Sequence, residues 1–429
     1  MCSFVIRPAI LWVLMLLALL LGGCEPTPTS NVVGYLLAKQ WGRLEPAPPD
    51  APRGTLTGLV MGEEGPLAGA AVVIAERIGR PYVGYTDATG RYRIDGIPAG
   101  QYTPAAVAPG YAEQVNTNVL GTPHLVTIRS AEVTEARPFQ LHRLEPVPLP
   151  QPWPQAANLE MWATAVVTAP FPAGSTAEMR AFAFERTGVR VDTLRLYTPV
   201  ERIPEERLPL LFMIYPSHVD LWQSVSTAYA AQGYALVAIS PVAERGTDMV
   251  AHAADARLAL ALTESEVLDP QIDTSTTVAL GGSFSSAVLH QLIRLTDNEI
   301  DGWVTVGGVT NAFAATAAFY AGRLEIPPQY EYLIPALGMP NLYPLLFLRY
   351  SPVYTAAELP PTLIIHTAAD RVIPIEQAYE LEAALRQAGV PVEVFYYEDV
   401  SHYLQIDEEI TEAGKEMFYR TLDFIEQIR

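Results

Sequence analysis

From residue 208 onward the chain alternates two textures, and that alternation constrains its fold more than any other feature. "LPLLFMIY" (208–215), "YALVAIS" (234–240), "TTVALGG" (276–282), "GWVTVGG" (302–308), "PTLIIH" (361–366) and "VEVFYY" (392–397) are short, continuous apolar runs. Strands buried on both faces read this way. Between and after them, "LWQSVSTAYAAQG", "AHAADARLALALTES", "FSSAVLHQLIRL", "PIEQAYELEAALRQAG" and "EAGKEMFYRTLDFIEQI" place apolar residues at helical spacing, with Gly233 and Gly389 as stops. Strand alternating with helix predicts an α/β fold, a mainly parallel sheet with helices on both faces. Long internal repeats are absent, which excludes solenoids and propellers.

The first residues carry a targeting signal. Arg7 precedes "AILWVLMLLALLLGGC", an apolar run ending in Leu21-Gly22-Gly23-Cys24. A positive start, an apolar centre and small residues before a cleavage point describe a secretory signal over 1–23. Its end resembles the lipobox of bacterial lipoproteins, which implies a diacylglycerol on Cys24 and an extracytoplasmic protein held at a membrane. The competing reading is an uncleaved anchor, since the run approaches a spanning length. After cleavage Cys24 is the sole thiol, Cys2 being removed, so no intramolecular disulfide forms. The net charge of −20 excludes nucleic acid as a partner, because a phosphate backbone repels such a surface.

Residues 24–53 are proline-rich and are expected to be an extended spacer, with Leu36, Leu37 and Trp41 able to dock on a neighbour. Over 54–143, strand-length runs such as "TLTGLVM", "AAVVIAE" and "RYRIDG" are separated by Gly, Pro and Asp clusters. They predict an all-β sandwich. "GLVMGEEGPLAGAAVVI", "TDATGRYRIDGIPAGQY" and "APGYAEQ" resemble the carboxypeptidase regulatory-like (transthyretin-related) module, which implies an accessory role without chemistry. His124 and His142 are isolated and read as structural or surface residues rather than metal ligands. A second linker, 144–154, has proline at every second position from Pro146 to Pro154.

"ALGGSFSSA" (279–287) puts Ser283 between a strand and a helix, with Gly281 and Ser285 on either side. A nucleophile elbow sits at such a junction, where a sharp turn lifts the hydroxyl above the sheet edge. A serine needs a base oriented by a carboxylate. Asp370 follows the strand 362–366, and His402 follows the strand 392–397. The order Ser, acid, His, each on a loop after a later strand, is that of α/β-hydrolases. From about Trp153 to Arg429 the chain resembles that superfamily, especially its dienelactone-hydrolase and prolyl-oligopeptidase-like branches. The stretch 351–404 is similar throughout, except that Thr367 stands where the family usually has glycine. The hydrolase domain is set at 155–429.

Ser285 and Ser286 are expected inside the helix and not presented. Glu398 and Asp399, rivals to Asp370, lie too close to His402 to form a separate acid loop. His252, His290 and His366 are expected to pack. For the oxyanion, Phe284 N–H is one donor, directly after the nucleophile. In "YPSHVDLW", Pro216 has no N–H, which makes Ser217 the first choice for the second donor and His218 the next. Residues 309–357 read as a cap insert whose aromatics, Phe313 to Tyr350, line an apolar acyl or aryl pocket or else pack on the sheet.

These readings predict a serine hydrolase, most of all a carboxylic ester hydrolase, with Ser283, His402 and Asp370 as its triad. It is expected to act on a small-molecule ester or peptide with an apolar part, without metal or organic cofactor. Two alternatives are a prolyl-oligopeptidase-like peptidase, although that type usually brings a propeller, and a non-catalytic binding or adhesion lipoprotein.

Overall fold

The computed structural model describes residues 28–40, 44–296, 299–326, 331–402, 405–406 and 409–429. The signal segment, Cys24, Trp41 and Tyr330 lie outside the described residues.

Its centre is a nine-stranded sheet: β1 (Glu160–Thr168), β2 (Thr176–Arg186), β3 (Val189–Pro199), β4 (Leu208–Ile214), β5 (Ala235–Ile239), β6 (Ile272–Gly282), β7 (Gly302–Val306), β8 (Thr362–Thr367) and β9 (Val392–Tyr397). Their order across the sheet is β1-β2-β3-β5-β4-β6-β7-β8-β9. β1, β2 and β3 are antiparallel to their neighbours, and from β5 onward every pairing is parallel. The six apolar runs from 208 onward are thus the six parallel strands. Both faces are covered, so successive residues of one strand enter different cores. Leu210, Phe212 and Ile214 join one cluster, and Leu211 and Met213 join the other.

Helices were legible where a single apolar stripe met a stop signal. α1 (Pro28–Gln40) was not. α2 (Gln223–Ala230) and the last helix cover one face; α3 (Met249–Glu264) and α4 (Ser285–Leu295) cover the other. Among the described residues of the insert between β7 and β8 are three short α-helices, α5 (Ala312–Tyr320), α6 (Leu333–Ala336) and α7 (Pro344–Arg349). α8 (Glu376–Ala388) links β8 to β9, and α9 (Glu412–Ile428) closes the chain.

The segment expected to be an extended spacer is helical over α1. Asn31, Tyr35 and Ala38 face inward, Asn31 Nδ2 donates to Ala336 O at 2.8 Å, and the Tyr35 ring lies 5.8 Å from that of Tyr320. Pro28 is the first residue of α1, where a missing N–H costs nothing. Tyr35 rather than Leu36 docks. The second linker is also held down: Leu144, Val147, Leu149 and Trp153 pack on the core, and Trp153 Nε1 donates to Ser265 Oγ at 2.8 Å.

Ahead of the large sheet stands a β-sandwich. Arg53–Gly62 pairs antiparallel with Arg91–Pro98, and Ala71–Ala75 pairs with Pro81–Tyr85 and Ala105–Val107. The run 71–75 is buried throughout. Val72 and Ile74 fill the sandwich core, whereas Ala71, Val73 and Ala75 enter the core of the large domain beside Phe313 and Phe347. An added Cβ at Gly79 would sit 2.6 Å from Phe313 O, so this turn lies directly on α5. The insert aromatics Phe313, Phe347 and Tyr350 are therefore buried packing residues. Of the two alternatives for the insert, these three follow the packing one.

A charge cluster locks the two domains. Arg294, at the end of α4, has a side chain with no exposed surface. It pairs with Glu113 of the sandwich, donates to Tyr111 O at 2.6 Å and to Glu358 Oε2 at 2.7 Å. Glu358 Oε1 in turn accepts from Gly110 N. Breaking a hydrogen bond to a buried charged group costs about 1.5–3 kcal/mol. Because Glu358 still holds Arg294, Glu113→Ala is expected to lower the unfolding free energy by about that amount, read from denaturant melts. Equal melts for Glu113→Ala and the parent would contradict the account.

Candidate active site

Ser283 follows the last residue of β6 and precedes α4. Its φ is +50°, a left-handed conformation that costs a residue with a Cβ about 1–2 kcal/mol. The turn closes because nothing protrudes around it. A Cβ on Gly281 would meet Leu289 Cδ1 at 2.5 Å, and one on Gly282 would meet Val306 O at 2.4 Å. Ser283 N lies 3.1 Å from both Val306 O and Gly307 O, and Val309 N donates to Ser283 O at 3.0 Å. The neighbouring serines turn inward. Ser285 Oγ donates to Gly282 O at 2.8 Å, and Ser286 Oγ lies 2.7 Å from Thr305 Oγ1. Both are fully buried, so among the three Ser283 alone is partly exposed.

Asp370 and His402 meet. His402 Nδ1 lies 2.7 Å from Asp370 Oδ2, while Asp370 Oδ1 accepts from Val372 N and Ile373 N, each at 2.8 Å. Both oxygens of this buried carboxylate are thereby occupied, and its orientation is set. Glu398 and Asp399 are exposed. Thr367 acquires a purpose here: its Oγ1 donates to Val400 O at 2.6 Å, and its carbonyl accepts from Asp370 N at 3.2 Å. One side chain thus ties the loop of the acid to the loop of the base.

Gly307 lies beside all three. Its carbonyl receives Ser283 N, and a Cβ placed on it would sit in ordinary contact, 3.4 Å from Asp370 Oδ2 and 3.5 Å from His402 Nδ1. Its φ is +55°, so glycine serves the conformation. Gly308 is tighter: a Cβ there would be 2.3 Å from Ser286 Oγ. Sequence reading passed over this pair, although "VGG" at the end of a strand beside the elbow was the available signal.

On the other side, Ile214 pairs with Gly281, which puts the loop after β4 beside the elbow. Tyr215 N is committed to Ile239 O at 3.0 Å and Pro216 has no N–H, so Ser217 offers the first N–H beyond the strand. Trp222 Nε1 donates to Ser217 Oγ at 2.8 Å, and the Trp222 ring stacks on Tyr215 with centroids 4.9 Å apart. His218 instead caps the turn Val219–Trp222, its Nδ1 accepting from Asp220 N at 3.4 Å. Phe284 precedes the first residue of α4, where N–H groups have no intrahelical partner. Its ring lies 5.7 Å from Tyr350 and 6.5 Å from His252.

The other core histidines pack as expected. His252 Nε2 lies 3.0 Å from Gly246 O, and His290 Nε2 lies 2.7 Å from Thr355 Oγ1. Burial lowers the pKa of His252, His290 and His366, that of His290 to about 4. A histidine depressed in the folded state stays neutral while the unfolded chain takes a proton. Its stabilisation is complete above the unfolded pKa of 6.5 and is lost as pH falls towards 4.

Two outcomes follow from this geometry. Stability is expected to fall between pH 6.5 and 4, with His290 contributing about 1.4 kcal/mol per pH unit. His290→Gln should flatten that slope in melts across the range, and an unchanged slope would contradict the assignment. Gly307→Ala is expected to lower the unfolding free energy by about 1–2 kcal/mol, the cost of a Cβ at φ +55°. The measurement is a denaturant melt; an unchanged melt would show that the glycine is not needed there.

Residues 55–133 match the carboxypeptidase regulatory-like domain, and residues 335–427 match the prolyl oligopeptidase family. No curated protein matches the chain. Among solved structures it is similar to acylaminoacyl peptidase of Pyrococcus horikoshii, at 12% identity and a TM-score of 0.46, over 83% of this chain and 54% of that one. It thus spans about half the length of that peptidase. It is also similar to the esterase Est2 of Thermogutta terrifontis (18% identity, TM-score 0.41, 55% of this chain and 89% of that one). A third is the acetyl xylan esterase of Paenibacillus sp. R4 (15% identity, TM-score 0.43, 62% and 88%). A stretch that matches the carboxypeptidase regulatory-like domain thus stands ahead of an α/β-hydrolase fold whose last part matches the prolyl oligopeptidase family.

Proposed function

We propose that the chain hydrolyses carboxylic esters through an acyl-enzyme. The observation that carries this is the gathering of a left-handed Ser283 and the Asp370–His402 pair around Gly307. Ser283 Oγ attacks the ester carbonyl and forms the C–O bond, while His402 Nε2 takes its proton. Asp370 holds Nδ1 and steadies the imidazolium. The Phe284 and Ser217 N–H groups stabilise the oxyanion, each contributing about 3–4 kcal/mol in comparable sites. Collapse expels the alcohol, which receives the proton from His402. Water then attacks the acyl-enzyme by the same route and releases the acid.

A second reading, peptide-bond cleavage, is favoured by the prolyl oligopeptidase match over 335–427. The ester reading draws on the sandwich, which occupies the place where such peptidases usually carry a propeller. A third, a non-catalytic binding or adhesion role, has against it the Asp370–His402 pair beside the turn that holds Ser283. We place the protein outside the cytoplasm, anchored by a diacylglycerol on Cys24.

The test is hydrolysis of a matched aryl ester and peptide anilide with one acyl group. The ester is expected to be cleaved with the higher kcat/KM, and Asp370→Asn to lower kcat about 10⁴-fold. Preference for the anilide would overturn the ester reading, and activity surviving in Ser283→Ala would overturn the mechanism.

A further inference from the structure

α1 leaves large apolar side chains uncovered. Asn31, Tyr35 and Ala38 point inward, while Val33 and Leu36 are 52% and 47% exposed. Against α1 lies α6, held by the Asn31–Ala336 bond. There Tyr332 and Leu333 are 48% and 46% exposed, and Leu342 beyond them is also exposed. Two segments distant in sequence and packed on each other therefore each leave large apolar side chains exposed.

That surface is sparsely charged. The chain carries −20 and is 17% charged, yet residues 28–40 and 332–348 hold one charged side chain between them, Lys39, with Glu331 and Arg349 bordering the second stretch. A bilayer with anionic lipids would be repelled by most of this protein but not by this face. Tyrosine beside leucine and valine also suits the interface, where one end of the side chain is wet and the other apolar. No described helix is long and apolar enough to cross a membrane. The face can lie on a bilayer without spanning it.

Chain length brings the same face to the membrane. Only Glu25, Pro26 and Thr27 separate Cys24 from the start of α1, which is about 14 Å at full extension. α1 is docked on the insert and is not a spacer, so an anchor at Cys24 would hold α1 and α6 against the lipid headgroups.

We propose that the outer face of α1 together with Tyr332, Leu333 and Leu342 is a bilayer-docking surface. It seats the insert between β7 and β8 at the lipid interface. The inference takes its orientation from the proposed anchor at Cys24, but the contact itself does not require a lipid on that thiol.

The test uses the full chain bound to phosphatidylcholine/phosphatidylglycerol vesicles whose acyl chains are brominated near the headgroup. Leu36→Trp and Leu333→Trp each place a reporter on the face. Tyr419→Trp places one on α9, at an exposed position on the opposite side of the sheet. Bromination is expected to lower the fluorescence added by the first two at least about twofold and to leave the third unchanged. Equal quenching at all three, or none at residues 36 and 333, would overturn the proposal. So would a blue-shifted, vesicle-independent emission at those positions, because the face would then be covered by residues 10–21 or a second copy. Intact mass tests the anchor separately. If Cys24 carries no diacylglycerol, quenching at 36 and 333 still supports docking and its absence still refutes it.

Discussion

A serine held in a left-handed turn is the constraint around which the large domain is arranged. At φ +50° Ser283 reverses the chain from β6 into α4, and the strain is tolerated because its neighbours present backbone instead of side chains. Gly281 and Gly282 admit Leu289 and Val306 O; Gly308 admits Ser286; Gly307, at φ +55°, turns the chain beside Asp370 and His402. Four glycines and two inward-turned serines thus form one close-packed knot. Parallel pairing of β4, β6, β7 and β8 brings the strand ends that supply its members to the same edge.

The knot is coupled to the sandwich by an element that sequence reading treated as local. α4 starts at the elbow and ends at Arg294, whose buried guanidinium is held by Glu113 and Tyr111 of the sandwich. Ala71, Val73 and Ala75 press into the same core from that side. A module expected to be accessory is therefore part of the packing of the helix that begins at Ser283. The insert between β7 and β8 lies between the two domains, with α1 against its outer surface.

What was legible in the sequence was what local pattern determines. The parallel strands were marked by unbroken apolar runs, and the elbow by a serine flanked by small residues where a strand meets a helix. Asp370 and His402 followed from their places after later strands, and the structure brings these two into a hydrogen bond. Pairings between remote segments were not legible. Nothing near Glu113 names Arg294 as its partner 181 residues away. The run at 71–75 was read as a strand, and its lack of alternation, the sign of a second buried face, went unused. α1 was masked by prolines at its start. Thr367 looked like a departure from a family pattern, and only the contact with Val400 O explains it.

The central claim is that Ser283 is an activated nucleophile. The most direct measurement is reaction of the folded chain with a fluorophosphonate, followed by mass spectrometric mapping of the adduct. The account predicts one adduct, on Ser283, formed rapidly in the parent and lost in His402→Ala. A folded chain that takes no label, or takes it with equal speed in His402→Ala, would contradict it.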